Sequence, residues 1–353
     1  SLYKGKYLTS NGLGPTIDIS PLIILISSGI DVILVLSITT SLELFQNILI
    51  WIYIKNNYNW IDLSVKPDYN SLSDNKFVII HQISSLIFNN TDIIFISLFC
   101  NLAYVSVYTI YKSFINQLRM ITSIVNNSYT FVLGQVFNFD RIQYAKMLDS
   151  FDLLFTIFNH YVLSVFCALF IPFMTLYTRS FPDSHLYINN ELLLLFAIVE
   201  LLSGYRNAMN MSINFSKHFK QTIRQSIFES IINIFFSLLF VKWLGIKGVL
   251  LGTIIALAYR SNEIIIYGNN KILNRSSRKS YKIYFLNSAI FITLYILGKN
   301  IFINSSTYIT LIVSGIKVCL IYGVVYLLVN IIFNYKYFIN FFNYYMNKRN
   351  DDR

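Results

Sequence analysis

One recurring feature constrains this chain more than any other. Apolar runs of about twenty residues alternate with short, basic connections, and about 20 apolar residues in a helix are enough to cross the hydrocarbon core of a bilayer. Ten such runs are present, at 17–38, 40–54, 77–98, 102–124, 151–177, 191–211, 227–244, 249–267, 283–303 and 308–333. Composition points the same way. Of 353 residues, 55% are hydrophobic and 13% charged, where soluble domains carry about 25% charged residues. No series of alternating ten-residue strands runs through the chain, which argues against an outer-membrane barrel. The expected fold is all-α, a polytopic transmembrane helical bundle of about ten spans.

The net charge of +11 has an explanation other than nucleic acid. Of the 28 Lys and Arg, 20 lie in one alternate set of connections: 1–16, 55–76, 125–150, 205–226, 268–282 and the tail. The other set holds four, and Lys112, Arg119, Arg260 and Lys317 fall inside spans. The positive-inside rule assigns the rich set, and both termini, to the cytoplasm. Cys100, Cys167 and Cys319 are odd in number and sit in apolar surroundings, with neither metal nor disulfide spacing. His81 and His160 lack ligand-spaced partners, so no metal or cofactor is expected. The chain opens at Ser1, with no signal peptide ahead of the first span. It is read as lacking upstream helices.

The run 77–98 carries His81, Ser85, Asn89 and Asp92 at spacings of four, four and three, which on a helix is one face. Ile80, Ile83, Ile87 and Ile94 take the opposite face. An ionisable group near mid-membrane costs roughly 2.5–3.5 kcal/mol, so it is kept where it looks into a bundle interior or a wet cavity. Alternatively, Asp92 sits at a helix end or caps a break after Asn89-Asn90-Thr91. In the next run Tyr104, Tyr108, Lys112 and Arg119 share a face. Two cations beside two tyrosines suit an anionic, sugar-bearing ligand, unless the cations snorkel to the interface. Glu200, Ser203, Asn207, Asn210 and Asn214 line one face of 191–211, with Arg206 to the side. Arg260 and Glu263 are three apart and can pair, either structurally or as a gate. Arg224 and Glu229 read as anchors at the membrane edge, and Lys317 as a lone cation. Gly248 and Gly252, four apart, suit close helix packing. No nucleophile–base arrangement, phosphate loop or carboxylate pair stands out. Polar groups strung along several apolar helices fit a transport pathway better than a reaction centre, so no enzyme is expected.

Five runs occur in order: HQISSLIFNNTDIIFIS from His81, VSVYTIYKSF at 105–114, LGQV at 133–136, HFKQTIRQSIFESIIN at 218–233 and GIKGVLLGTIIALAYRSNEIIIY at 245–267. Together they resemble the bacterial polysaccharide (O-antigen type) flippases of the multidrug/oligosaccharidyl-lipid/polysaccharide exporter superfamily. The resemblance implies two six-helix lobes plus two further helices, fourteen in all, of which this chain holds the fifth onward. Residues 1–54 would be the remnant of the N-terminal lobe, with two transmembrane helices. Residues 55–76 would be the cytoplasmic inter-lobe linker, 77–267 the six-helix C-terminal lobe, and 268–353 two additional helices with a basic cytoplasmic tail.

The implied activity is movement of an undecaprenyl-diphosphate-linked oligosaccharide across the bacterial cytoplasmic membrane. It would pass from the cytoplasmic to the outer leaflet by alternating access, for surface polysaccharide biosynthesis. The implied partners are the lipid-linked oligosaccharide, the bilayer, a polysaccharide polymerase and other export components, with no nucleic acid. The family's cationic cavity would fall to Lys112, Arg119, Arg206 and Arg260, and glycan contacts to Tyr104, Tyr108 and Asn207. Asp92 and Glu263 would couple a proton or ion. Two other readings are open. A multidrug exporter of the same superfamily would favour carboxylates for cationic drugs. A membrane polysaccharide polymerase or glycosyltransferase normally needs a large catalytic loop, and the longest connections here are only about twenty-odd residues.

Overall fold

The computed structural model describes residues 31–58, 75–181, 183–301 and 307–351. Residues 17–30 of the first expected span and 59–74 of the expected linker lie outside them. Among the described residues the chain is all-helical, with no strand. It divides into two compact units, 1–71 and 72–353, with the boundary inside the expected 55–76 linker.

The first unit contributes α1 (Val32–Asn57). The sequence predicts one span at 17–38, which would bury Asp31, and a second at 40–54. Asp31 is instead exposed and caps the helix, its carboxylate accepting the Ile33 N–H at 3.1 Å. A short acidic side chain satisfies the unpaired amides of a first turn, so the helix starts there. It then runs unbroken through 38–40.

The second unit comprises α2 (Asn75–Phe99), α3 (Leu102–Phe139), α4 (Arg141–Tyr177), α5 (Asn190–Tyr205), α6 (Asn207–Phe215), α7 (Phe219–Leu244), α8 (Ile246–Tyr267), α9 (Arg278–Ile301) and α10 (Tyr308–Asp351). Among the described residues, six helical segments are long and apolar enough to cross a membrane: α4, the stretch Ser184–Phe215 containing α5 and α6, α7, α8 with the turn after it, α9 and α10. The chain is therefore a multi-pass membrane protein. α2 and α3 have the length, but their own polar residues dilute their apolarity, so ten such segments are not seen.

The connector expected over 125–150 is helical. α3 has 38 residues, about 57 Å at 1.5 Å per residue, and so outruns a core of roughly 30 Å. Asp140 ends it and caps α4, accepting from the Ile142 and Gln143 amides at 2.8 and 3.0 Å. The expected single span 191–211 is broken at Arg206 (φ −85°, ψ −9°) into α5 and α6. A Cβ on Gly204 would meet the Asn159 amide nitrogen at 2.5 Å, so the absence of a side chain lets α4 approach the break. The Tyr205 carbonyl there accepts from the Tyr284 hydroxyl at 2.9 Å, one way in which a discontinuous helix keeps its backbone satisfied. α10 is interrupted at Asn334 (φ −125°, ψ 21°), one residue beyond the expected end of the last span.

Gly248 and Gly252 do bring two helices close together. A Cβ on Gly248 would lie 2.3 Å from the Phe240 carbonyl oxygen, and one on Gly252 2.5 Å from the Ser237 amide nitrogen. Backbone contact of this kind replaces the hydrophobic expulsion that lipid cannot supply. Aromatic rings do similar work between α3, α4 and α5. Tyr111 meets Phe170 edge-on with centroids 4.8 Å apart and stacks on Phe196 at 5.7 Å.

Candidate functional site

α2 is continuous through Asn89-Asn90-Thr91, so Asp92 caps no break. It is buried, while Ile80, Ile83, Ile87 and Ile94 on the opposite face are exposed. The Tyr108 hydroxyl donates to Asp92 at 2.8 Å. The Thr253 hydroxyl lies 3.2 Å from both carboxylate oxygens and accepts from Asn233 at 3.0 Å. Hydrogen-bond donors from α3 and α8 thus offset the cost of burying Asp92 on α2.

Asp92 borders a cavity of about 330 Å³, at the small end of ligand pockets (roughly 300–1,000 Å³). Its walls come from α2, α3, α4, α5, α6 and α8. Six of the lining residues are asparagines: Asn89, Asn116, Asn126, Asn159, Asn207 and Asn210. A side-chain amide offers a donor and an acceptor without charge. That chemistry matches hydroxyl groups, each of which is also donor and acceptor. Among the described residues no histidine or cysteine lines the cavity.

The cations divide into two kinds. Arg119 holds Glu200, with Nη2–Oε2 at 2.6 Å and Nε–Oε2 at 3.2 Å. Only 7% of the Glu200 side chain is exposed, against 46% for Arg119. Arg206, at the α5–α6 break, bonds Glu229 of α7 at 2.8 Å. Lys112 differs. Its Nζ donates to the Asn89 carbonyl at 2.6 Å and sits 5.5 Å from the Tyr108 ring centroid. Among the described residues no carboxylate lies within ion-pair distance of it.

The structure gathers Asp92, Tyr108, Lys112, Arg119, Arg206 and Asn207 around one space, together with Glu200, Ser203 and Asn210 from the expected stripe. Three expectations are corrected. Tyr104 turns away into a separate groove beside Cys100, Leu244 and Lys247, so the expected Tyr104–Arg119 stripe is split. Arg260 and Glu263 do not line the cavity: they pair with each other, and Arg260 Nε also lies 3.5 Å from Glu229. With Arg206 they form a ladder of alternating charge, which leaves Arg260 with no bare guanidinium. Glu229, read as an edge anchor, is the buried residue that this ladder shares. His81 keeps its place on the polar face of the continuous helix but lies beyond the cavity lining, where its ring contacts the Phe219 carbonyl at 3.1 Å. Lys317 is exposed and also lies outside the cavity lining.

Sequence reasoning missed Asn159 and Asp152. Asp152, Thr156, Asn159 and His160 follow one another at helical spacing in α4, the same signal that was read in 77–98. Asn159 reaches the cavity. Asp152 is buried behind it, 2.8 Å from the Tyr284 hydroxyl. His160 approaches Tyr205, which in turn lies 2.5 Å from Ser288. This second polar network ties α4, α5 and α9 together. Among the described residues no group of three or more His, Cys, Asp or Glu could hold a metal ion. Comparison with protein-family models, with curated proteins and with solved structures found no match.

Proposed function

We propose that this chain is part of a transporter that moves a lipid-diphosphate-linked oligosaccharide from the cytoplasmic to the outer leaflet of a bacterial cytoplasmic membrane by alternating access. One observation carries the reading: an amide-lined cavity within the helical bundle, bordered by a single cation that has no ion-pair partner among the described residues. Amides answer sugar hydroxyls, and Lys112 answers one phosphate as a point charge. Arg119 and Arg206 keep their own carboxylates, so neither is counted as a ligand of the phosphate. In this reading α1, α2 and α3 also cross the membrane, and both termini face the cytoplasm, as the Lys and Arg distribution requires. The O-antigen flippase resemblance and the fourteen-helix plan belong to the same proposal.

The arrangement of the cavity suits alternating access. Its walls include the broken α5–α6 segment, and interrupted helices at a binding site are common in transporters. The test uses cells lacking the full-length gene, with a membrane-impermeant reagent reporting which leaflet holds the lipid-linked glycan. Accumulation on the cytoplasmic face, reversed by the intact gene, supports translocation. Loss of the lipid-linked glycan altogether, or its arrival unpolymerised on the outer face, overturns it in favour of synthesis or polymerisation.

A further inference from the structure

A second pocket, of about 680 Å³, lies at one end of the bundle, where three connections meet. It is formed by the start of α4, the turn between α6 and α7, and the segment joining α8 to α9. Sequence places all three connections in the cation-rich set. The pocket is lined by five cations, Arg141, Lys146, Lys271, Arg275 and Lys279, and by one carboxylate, Asp149.

That carboxylate is already engaged: Arg275 bonds Asp149 at 2.5 Å through Nη2 and the Asn269 carbonyl oxygen of the side chain at 2.8 Å through Nε. The backbone supports the same strut. Five residues after α8 form a π turn, Gly268–Ile272, and the Leu273 amide closes it onto the Gly268 carbonyl at 3.1 Å. Asn274 then takes a left-handed conformation (φ 48°), which asparagine tolerates. This folds Arg275 back so that its amide bonds the Asn269 carbonyl at 2.9 Å. The turn sets Lys271 and Lys279 facing the start of α4.

Arg141 is held over the Phe137 ring, 3.4 Å from its centroid. Among the described residues Arg141, Lys146, Lys271 and Lys279 have no ion-pair partner. The same pocket has an apolar wall of Ile142, Ala145, Ile272 and Leu273. The buried Ser216 hydroxyl, also in the lining, has no hydrogen-bond partner among the described residues. Four cations over an apolar wall, at the end of a membrane bundle, define an amphipathic anion site.

We infer that this end pocket binds a phosphate- or diphosphate-bearing group, separate from the amide-lined cavity and independent of whether the chain transports a glycan. The group has two sources, the headgroup of an anionic lipid or a soluble phosphate compound. The experiment separates them. The full chain is placed in nanodiscs of phosphatidylcholine with or without phosphatidylglycerol, and lipid retention is read by native mass spectrometry. In parallel, inorganic pyrophosphate is titrated onto the chain in neutral detergent.

Retention of phosphatidylglycerol that falls about a hundredfold in the triple variant Lys146→Gln/Lys271→Gln/Lys279→Gln assigns the site to a lipid headgroup. The same loss seen only with pyrophosphate assigns it to a soluble phosphate. Because all three lysines are exposed, the triple variant is expected to fold, and an unchanged melting temperature checks this. Lys279→Gln alone, with an expected loss of about fivefold, guards against misfolding of the triple. The inference is overturned if neither probe binds. It is equally overturned if neutralising Lys217, Arg224 and Lys242 weakens binding as much, which would reduce the effect to general surface charge.

Discussion

The amide-lined cavity and the end pocket are built from the same cationic residue types and use them in opposite ways. Inside the bundle both arginines are committed. Arg119 holds Glu200 and Arg206 holds Glu229, because each carboxylate is largely buried and lacks water to stabilise it without a cation. At the end of the bundle four of five cations have no carboxylate partner among the described residues, because solvent reaches them. A cation in a span is therefore weak evidence for a ligand until its partner is known. Lys112 is the exception that makes the cavity a candidate site.

Three substitutions would sharpen or break this contrast. The largest effect is expected from Glu229→Leu, which removes the partner of Arg206 and one partner of Arg260, a side chain only 7% exposed. Loss of one member of such a pair costs about 3–5 kcal/mol, read as unfolding of the detergent-solubilised chain. A cost below about 1 kcal/mol would mean that the ladder contributes little. An intermediate effect is expected from Thr253→Val. It strips a donor from buried Asp92 and leaves Asn233 without its acceptor, at about 1–3 kcal/mol. The smallest is expected from Lys279→Gln in the end pocket, within about 0.5 kcal/mol, because no partner is lost. Added salt should weaken anion binding at the end pocket and leave the Glu229 contribution nearly intact, since screening acts on exposed charges. Equal salt sensitivity at both places would erase the distinction between them.

The polar stripes were legible in the sequence because a 3.6-residue period stands out on an apolar background. Asp92 with Asn89, and Glu200 with Ser203, Asn207 and Asn210, were read as faces, and they meet in one cavity. Arg260–Glu263 was legible as well, since three residues separate the partners. The partners of Arg119 and Arg206 were not, because they lie 81 and 23 residues away. Nothing local distinguishes a committed arginine from a free one. The same limit sent Tyr104 to the wrong space, since neighbouring helices decide how much of a face is covered. Helix ends failed for another reason. Apolarity reports where lipid is tolerated, so it missed that α3 continues to Phe139 and that α1 runs straight through 38–40. The break at Arg206 has no proline to announce it and depends on Gly204 lying against Asn159.

The most direct test of the account is translocation of the lipid-linked glycan by the full-length protein, followed with a membrane-impermeant reagent, in two variants. In one, Lys112→Gln removes the cavity cation that has no ion-pair partner. In the other, Arg119→Leu/Glu200→Leu removes a committed pair together, so that neither charge is left behind. The account predicts that Lys112→Gln slows translocation about tenfold or more, the weight of one charge-assisted hydrogen bond, while the paired variant stays near the wild-type rate. Normal translocation by Lys112→Gln, with loss in a folded Arg119→Leu/Glu200→Leu protein, would contradict it, because the ligand would then be held by the pair and not by the lysine.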